Sequence, residues 1–186
     1  MKSFFANKIK YLREPWRLRV HLAYFFIVIF ALSANPEGAF FWTGSLLIPG
    51  GLMIRAWASG IIKKDDELAT EGPYSFCRNP LYVGNFMIAY GFCFINGNPL
   101  SFLVITAYFL LIYPFTIRKE EGKLNKLFPK QFAEYRSSVR RFIPRLTPYT
   151  SPGGWNLHQY LIDNKDFLNE GAILIFWIYT IYIYIN

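Results

Sequence analysis

Two short polar stretches of this sequence carry side chains that can hold a small charged molecule. Tyr74, Arg78 and Asn79 lie just before an apolar run, and Glu120 and Glu121 follow the next two apolar runs. An arginine binds a carboxylate through charge-assisted hydrogen bonds, a glutamate accepts from hydroxyl or ammonium groups, and a tyrosine face attracts a cation. Together these side chains predict a charged, hydrogen-bonding patch that can contact a small polar molecule.

The first stretch has the sequence of a tight turn followed by a helix. Gly72 and Pro73 favour the turn, because glycine adopts unusual backbone angles and proline fixes its own φ. Asn79 is a good helix N-cap, and Pro80 suits the first helical turn, where no N–H is needed. This arrangement predicts a polar patch at the mouth of an apolar helix.

The same residues carry a family resemblance. Residues 72–84, GPYSFCRNPLYVG, resemble the GPY…RHPxYxG signature of the isoprenylcysteine carboxyl methyltransferase and phospholipid methyltransferase superfamily. The glutamate pair that forms the second half of that signature resembles Glu120 and Glu121. The resemblance covers roughly residues 59–144. Asn79 stands where the signature has histidine, which excludes any mechanism that needs a histidine base at this position.

The resemblance implies an integral-membrane methyltransferase that takes S-adenosylmethionine from the cytosol and a lipophilic acceptor sideways between its helices. The acceptor atom is left open among carboxylate, thiol and amine. Arg118 and Glu120 are the catalytic candidates, with positioning roles, and no metal is expected. Carried over by position, the cofactor-binding residues are Glu67, Leu68, Ala69, Tyr74, Arg78, Asn79, Pro80, Leu81, Tyr82, Gly84, Glu120 and Glu121.

Other interpretations remain open from the sequence. A sterol-reductase-like NADPH-dependent oxidoreductase shares a similar C-terminal half with this superfamily, and a non-enzymatic membrane binding protein is a third class. In a purely structural interpretation, Arg78, Asn79 and Pro80 form an interfacial anchor and helix cap. The two glutamates are then a solvated face paired with Lys119 or Lys123.

Composition places the polar stretches in a membrane protein. The chain has 186 residues, of which 53% are apolar and 20% aromatic, with a net charge of +8. The basic residues lie between long apolar runs, which argues against a nucleic-acid partner and for membrane lipids. We predict one all-α domain over residues 1–186, a polytopic membrane bundle with cytosolic amphipathic helices. The five predicted membrane helices are residues 18–33, 40–58, 81–95, 100–117 and 171–185.

Several segments around these helices have specific predictions. Residues 96–99 form a short turn, so the third and fourth helices make a hairpin that brings both signature halves to one face. Residues 118–145 show helical periodicity typical of amphipathic helices on the membrane surface. Residues 146–154 read as a linker. The last apolar run, 171–185, alternates like a strand, but among membrane segments we expect a helix.

Single residues add smaller expectations. Arg55 near the end of the second helix is expected to snorkel to the interface, and Gly50 and Gly51 to allow close helix packing. Pro114 is expected to kink the fourth helix. Cys77 and Cys93 lie in different surroundings, so a disulfide is not expected.

Charge predicts the orientation. All 20 Lys and Arg residues fall in or beside the N-terminus, residues 59–79 or residues 118–170, on one side of the predicted bundle. Basic residues are concentrated on the cytosolic side of membrane proteins. The N-terminus and both signature halves are therefore expected in the cytosol, with the bundle in a bacterial or archaeal inner membrane. Residues 1–19, basic with interleaved apolar residues, read either as an interfacial helix or as a loosely ordered flank.

Overall fold

Apolar runs that begin or end at proline, glycine or asparagine fold as α-helices in this protein. The computed structural model describes residues 15–33, 38–63, 66–151, 153–164 and 166–186, and that part of the chain is all-helical, with no strand. Its α-helices are α1 (Pro15–Leu32), α2 (Gly38–Ser59), α3 (Pro80–Asn96), α4 (Pro99–Leu127), α5 (Pro129–Ser138) and α6 (Asp166–Ile185). A 3₁₀-helix spans Gly72–Ser75, and a π-helical turn spans Gln159–Asp163. The all-α fold class predicted from the sequence is confirmed.

Two helices extend by five residues or more beyond their predicted bounds. The fourth helix was expected to end at residue 117, but α4 continues to Leu127, because Lys and Glu are good helix formers and the next breaker is Pro129. The last helix was expected to start at residue 171, but α6 begins at Asp166, an acidic residue that suits a helix N-terminus. The proposed interfacial segment falls largely on residues 1–14, outside the described residues.

Glycines set the distance between α2 and α3, which share the most extensive helix contact in the described part of the chain. A Cβ added to Gly51 would lie 2.7 Å from the carbonyl oxygen of Gly84, and a Cβ on Gly84 would lie 2.7 Å from that of Gly51. The same close approach occurs farther along the two helices, since a Cβ on Gly44 would collide with the carbonyl oxygen of Gly91. Close packing, predicted for Gly51, is confirmed.

Length and hydropathy mark two helices as candidate membrane spans. Among the described residues, α4 and α6 are long and apolar enough to cross a membrane. Large apolar side chains on these helices point outward, including Leu110, Phe115 and Ile175, each about two-thirds exposed at 68%, 69% and 68%. The count of five membrane-spanning helices stays a prediction.

The segment after α5 borders the loop that precedes α3. Arg145 N–H donates to the carbonyl oxygen of Phe76 at 2.9 Å, and Tyr149 N–H donates to that of Ser75 at 3.0 Å. Arg78 N–H donates to the carbonyl oxygen of Arg140 at 2.9 Å. These backbone hydrogen bonds hold residues 72–79, the signature loop, against the segment that follows α5. The side chains of the signature loop therefore have defined positions.

Candidate functional site

The two signature halves meet through a buried ion-paired cluster. Glu121 Oε1 accepts from Arg78 Nε at 3.1 Å and Arg78 Nη2 at 2.8 Å. Arg141 donates to the same carboxylate, from Nε to Oε1 at 3.1 Å and from Nη2 to Oε2 at 2.6 Å. The hairpin of α3 and α4 therefore brings the loop before α3 and the end of α4 together, as the sequence predicted.

Arg78 makes its hydrogen bonds to the protein itself. Besides Glu121, its Nη1 donates to the backbone carbonyl oxygens of Arg136 at 2.9 Å and Val139 at 2.8 Å. These two carbonyls lie at the end of α5, where a helix leaves acceptors without intrahelical partners. The sequence favoured Arg78 as the holder of a ligand carboxylate, but in the structure this guanidinium links the signature loop, α4 and α5.

A second contact joins the two halves beside the first. Tyr82 Oη donates to Glu120 Oε1 at 2.6 Å, across 38 positions of sequence. The Tyr82 ring lies edge-on to Tyr113 of α4, with ring centroids 5.0 Å apart. Tyr82 is thereby held between the two helices, with its hydroxyl directed at the glutamate.

The Tyr74 hydroxyl is buried and has no hydrogen-bond partner among the residues that the structure describes. Tyr74 as a whole is only 5% exposed. Burial, with the nearby Tyr135 adding to the effect, raises the pKa of this hydroxyl well above its ordinary value, so it stays protonated as a donor. A buried polar atom without a partner is rare in folded proteins, and a bound ligand is one explanation.

Asn79 occupies the N-cap position of α3 without capping it through its side chain. Its backbone carbonyl oxygen accepts from Tyr82 N–H and Val83 N–H at 3.1 and 3.2 Å. The side-chain Nδ2 instead donates to the carbonyl oxygen of Arg141 at 2.9 Å. The side-chain cap expected from the sequence is therefore absent, because the amide is used to hold the segment after α5.

One cavity of about 640 Å³ connects these residues with the interior of the helix bundle. Its polar part contains most of the residues that the sequence proposed as a site: Glu67, Leu68, Ala69, Tyr74, Arg78, Asn79, Pro80, Leu81, Tyr82, Glu120 and Glu121. Its apolar part is formed by α1, α3, α4 and α6: Ile27, Phe30, Ile88, Ala89, Phe92, Ile105, Phe109 and Ile173. The arrangement can hold a polar molecule at one end and a hydrophobic chain at the other.

Two proposed site residues do not line this cavity. Gly84 packs against α2, where an added Cβ would lie 2.6 Å from Arg55 Cγ, so its missing side chain makes room for a helix. Arg118 is exposed on α4 and is not part of the lining. Its position was uncertain in the sequence because residues 118–121 are all polar, and a one-residue shift on a helix changes the face by about 100°.

Sequence reasoning missed several polar residues of the lining, among them Lys63 and Lys123 near the polar end and Arg55, Asn85, Asp166 and Asn169 deeper in the bundle. Arg55 was expected to snorkel, but it is only 8% exposed and pairs with Asp166 of α6 at 3.3 Å. A guanidinium with a carboxylate partner inside the protein gains nothing by reaching the interface. A polar residue within an apolar helix was the available signal for Arg55 and Asn85. No local pattern marked the two residues on α6.

Comparison with known proteins decides the family. A sequence model of the phospholipid methyltransferase family matches residues 41–131. A cobalt-zinc-cadmium resistance protein of Cupriavidus metallidurans is 38% identical over 145 residues, which are 71% of this chain and 67% of that protein. A protein-S-isoprenylcysteine O-methyltransferase of Schizosaccharomyces pombe is 35% identical over 81 residues. This chain belongs to the isoprenylcysteine and phospholipid methyltransferase superfamily.

The extent of these similarities differs between relatives. A nickel-cobalt-cadmium resistance protein of Alcaligenes xylosoxydans is 30% identical over 152 residues, 77% of this chain and 69% of that protein. The match to the Schizosaccharomyces pombe enzyme covers 44% of this chain and 34% of that enzyme. No solved structure matches the chain. In the part of the chain that the structure describes, no group of three or more His, Cys, Asp or Glu residues could hold a metal ion.

Proposed function

We propose that this membrane methyltransferase transfers a methyl group from S-adenosylmethionine to a lipophilic acceptor. The observation that carries the proposal is one continuous cavity, whose polar part contains both signature halves and whose apolar part lies within the bundle. A water-soluble donor and a chain-bearing acceptor can then meet without leaving the protein. S-adenosylmethionine supplies a methyl group on a sulfonium, a good leaving group, so alignment of the reactants is the main catalytic task.

The residues of the polar part fit the chemical groups of this cofactor. Glu120, held by Tyr82 at 2.6 Å, presents carboxylate oxygens that accept from ribose hydroxyls or an ammonium group. Tyr74 offers a protonated hydroxyl that lacks a partner among the described residues. Lys63 and Lys123 are on the lining as well and supply positive charge for a carboxylate. Arg78 and Glu121 hold the two halves in position.

The apolar part fits an acyl or prenyl chain. Aliphatic and aromatic side chains from four helices surround it, and burying such a chain releases about 0.8 kcal/mol for each CH₂ group. A chain bound in this part displaces water from it, so the methyl transfer takes place in surroundings of low polarity. A long-chain acceptor would therefore be held with its reactive group toward the polar end.

Binding measurements test the proposal directly. We expect calorimetry on the detergent-purified protein to show binding of S-adenosylhomocysteine and no binding of NADPH, which an oxidoreductase would bind instead. Glu120→Gln should weaken S-adenosylhomocysteine binding by about 1–2 kcal/mol, because a charge-assisted hydrogen bond is replaced by a neutral one. Glu134→Gln, at an exposed position of α5 outside the lining, is the matched control. Binding of NADPH with no binding of S-adenosylhomocysteine would disprove the assignment.

We also infer one domain over residues 1–186, with its polar part on the cytosolic side of a bacterial or archaeal inner membrane. The basic residues and both signature halves support this orientation. Single cysteines at Ser137 and Asn98, both exposed, provide the test in intact cells. Only Asn98→Cys should react with an impermeant maleimide from outside, and labelling of Ser137→Cys alone would reverse the orientation.

A further inference from the structure

A second polar cluster lies inside the protein, between α2, α3 and α6. Arg55 Nη1 donates to Asn85 Oδ1 at 2.5 Å, and Arg55 Nη2 donates to Asp166 Oδ1 at 3.3 Å. Ser59 donates to Asp166 Oδ2 at 2.5 Å, and Glu170 Oε1 lies 3.5 Å from Arg55 Nε. Arg55, Ser59 and Glu170 are 8%, 0% and 7% exposed. The Asp166 side chain is 15% exposed, so these four residues lie inside the protein. These residues, Asn85 and Asn169, which lies one turn after Asp166 on α6, are named the Arg55 cluster. Its members Arg55, Asn85, Asp166 and Asn169 also line the cavity.

The register of α3 places this cluster between the two parts of the cavity. Asn85 follows Asn79 by six residues, about 9 Å along a helix, and is followed on the same face by Ile88 and Phe92. Asn79 belongs to the polar part, whereas Ile88 and Phe92 belong to the apolar part. A chain lying in the apolar part therefore has its head group beside Asn85 and Arg55.

Helix α6 repeats the same order on the facing side. Asp166, Asn169 and Ile173 are spaced three and four residues apart, so they share one helix face, and all three line the cavity. This helix lies outside residues 41–131, which match the family model. The wall beside the expected head group is thus built partly by a helix that the family match does not include.

The hydrogen bonding within the cluster is incomplete. Arg55 Nε and Glu170 Oε1 are both buried, and within the described residues neither makes a hydrogen bond. Their 3.5 Å separation is an ion pair without the geometry of a hydrogen bond. Ionisable groups within membrane segments are costly, and they mark functional sites more often than structural ones.

We propose that the Arg55 cluster binds the head group of the methyl acceptor and selects head groups that donate hydrogen bonds and carry no negative charge. This inference rests on the proposed function. The Arg55 guanidinium is already paired with Asp166, so a ligand carboxylate brought beside Asp166 and Asn169 is repelled by the Asp166 carboxylate. A hydroxyl or amino group donates to Asp166 Oδ1 and to the amide oxygen of Asn169. Asn169 and Asp166 are therefore specificity-determining residues.

The test compares three amphiphiles that share one alkyl chain and differ in their head group: hexadecan-1-ol, hexadecylamine and hexadecanoate. Their binding is measured by thermal unfolding of the protein in nanodiscs with S-adenosylhomocysteine at saturation. The wild-type protein should bind the alcohol and the amine about tenfold more tightly than the carboxylate, as expected for a site built on hydrogen bonds. Asp166→Asn and Asn169→Leu should each reduce that ratio by about fivefold. Ile175→Ala, on the exposed face of α6, should leave it unchanged.

The outcomes distinguish this inference from the proposed function. No binding of S-adenosylhomocysteine to the wild-type protein would contradict the proposed function, and the inference with it. Normal S-adenosylhomocysteine binding, with a ratio near one or a ratio that both variants leave unchanged, would overturn the inference alone. If Asp166→Asn does not fold, Asn169→Leu decides, because it leaves the ion pairs of Arg55 in place. A purely structural role for the cluster would lower the unfolding temperature without changing the ratio.

Discussion

Arg78 and Glu121, 43 positions apart, are joined by two hydrogen bonds to one carboxylate oxygen, from Nε at 3.1 Å and from Nη2 at 2.8 Å. Both side chains are about nine-tenths buried, with 9% and 10% of their surfaces exposed. Without Arg78, the buried Glu121 carboxylate keeps Arg141, whose side chain is 44% exposed, and loses its buried partner. This pair therefore fixes the two signature halves against each other before any ligand binds.

Arg78→Lys should lower the stability of the protein as well as its ligand affinity. A lysine cannot reproduce the fork of donors that reaches Glu121, Arg136 and Val139, and the loss should amount to about 2–4 kcal/mol. Thermal unfolding in detergent measures the change, with Arg118→Lys, at an exposed position of the same domain, as the control. An unchanged unfolding temperature combined with lost S-adenosylhomocysteine binding would instead make Arg78 a direct ligand.

Tyr74→Phe should have opposite effects on stability and on binding. Without ligand, the buried hydroxyl has no partner among the described residues, so its removal should stabilise the protein by about 1 kcal/mol. With ligand, the same removal should weaken S-adenosylhomocysteine binding by about 1 kcal/mol, the value of one hydrogen bond. Unfolding temperatures and calorimetry measure the two effects separately.

The matched variant is Tyr135→Phe. The Tyr135 hydroxyl donates to the carbonyl oxygen of Tyr74 at 2.6 Å, so its loss should destabilise the protein instead. If Tyr74→Phe also destabilises the protein and leaves binding unchanged, the Tyr74 hydroxyl is not part of the ligand site.

Local sequence patterns predicted the helices because residues with a strong backbone preference stand at their ends. Pro80 begins α3, and Gly97, with a positive φ, follows its last residue. Local patterns predicted the meeting of the signature halves because a short turn at residues 96–99 permits only an antiparallel hairpin. They missed the burial of Arg55, because its partner Asp166 is 111 positions away in the chain. A charge near a helix end has the same local pattern whether it reaches the interface or pairs with a distant helix.

Gly84→Ala should destabilise the contact between α2 and α3. The added methyl group would lie 2.6 Å from Arg55 Cγ and 2.7 Å from the backbone oxygen of Gly51, which cannot move without shifting α2. We expect a loss of about 1–3 kcal/mol, typical of overpacking. Gly122→Ala in α4 is the control, since nothing lies within 4 Å of its added Cβ. That control should stabilise the protein by up to about 1 kcal/mol through helix propensity. Equal effects of the two substitutions would argue against the close contact.

The Cys77 thiol should be nearly unreactive in the folded protein. Burial raises its pKa to about 11, and the side chain is only 2% exposed. At pH 8, about one thiol in a thousand is then ionised, compared with about one in four for an exposed cysteine. Alkylation by iodoacetamide, followed by peptide mapping, should be at least about a hundredfold slower at Cys77 than at an introduced Ser137→Cys. The Cys77 rate should rise as the pH approaches 11. Similar rates at pH 8 would show that the loop around Cys77 opens readily.

Photo-crosslinking of radiolabelled S-adenosylmethionine tests the central claim most directly, namely that both signature halves hold the methyl donor at one end of a shared cavity. Ultraviolet irradiation followed by peptide mapping should place the label in peptides that contain Tyr74 and Tyr82, or in those that contain Glu120. An excess of S-adenosylhomocysteine should remove this label. Label confined to other peptides, or label that the excess does not reduce, would contradict the account.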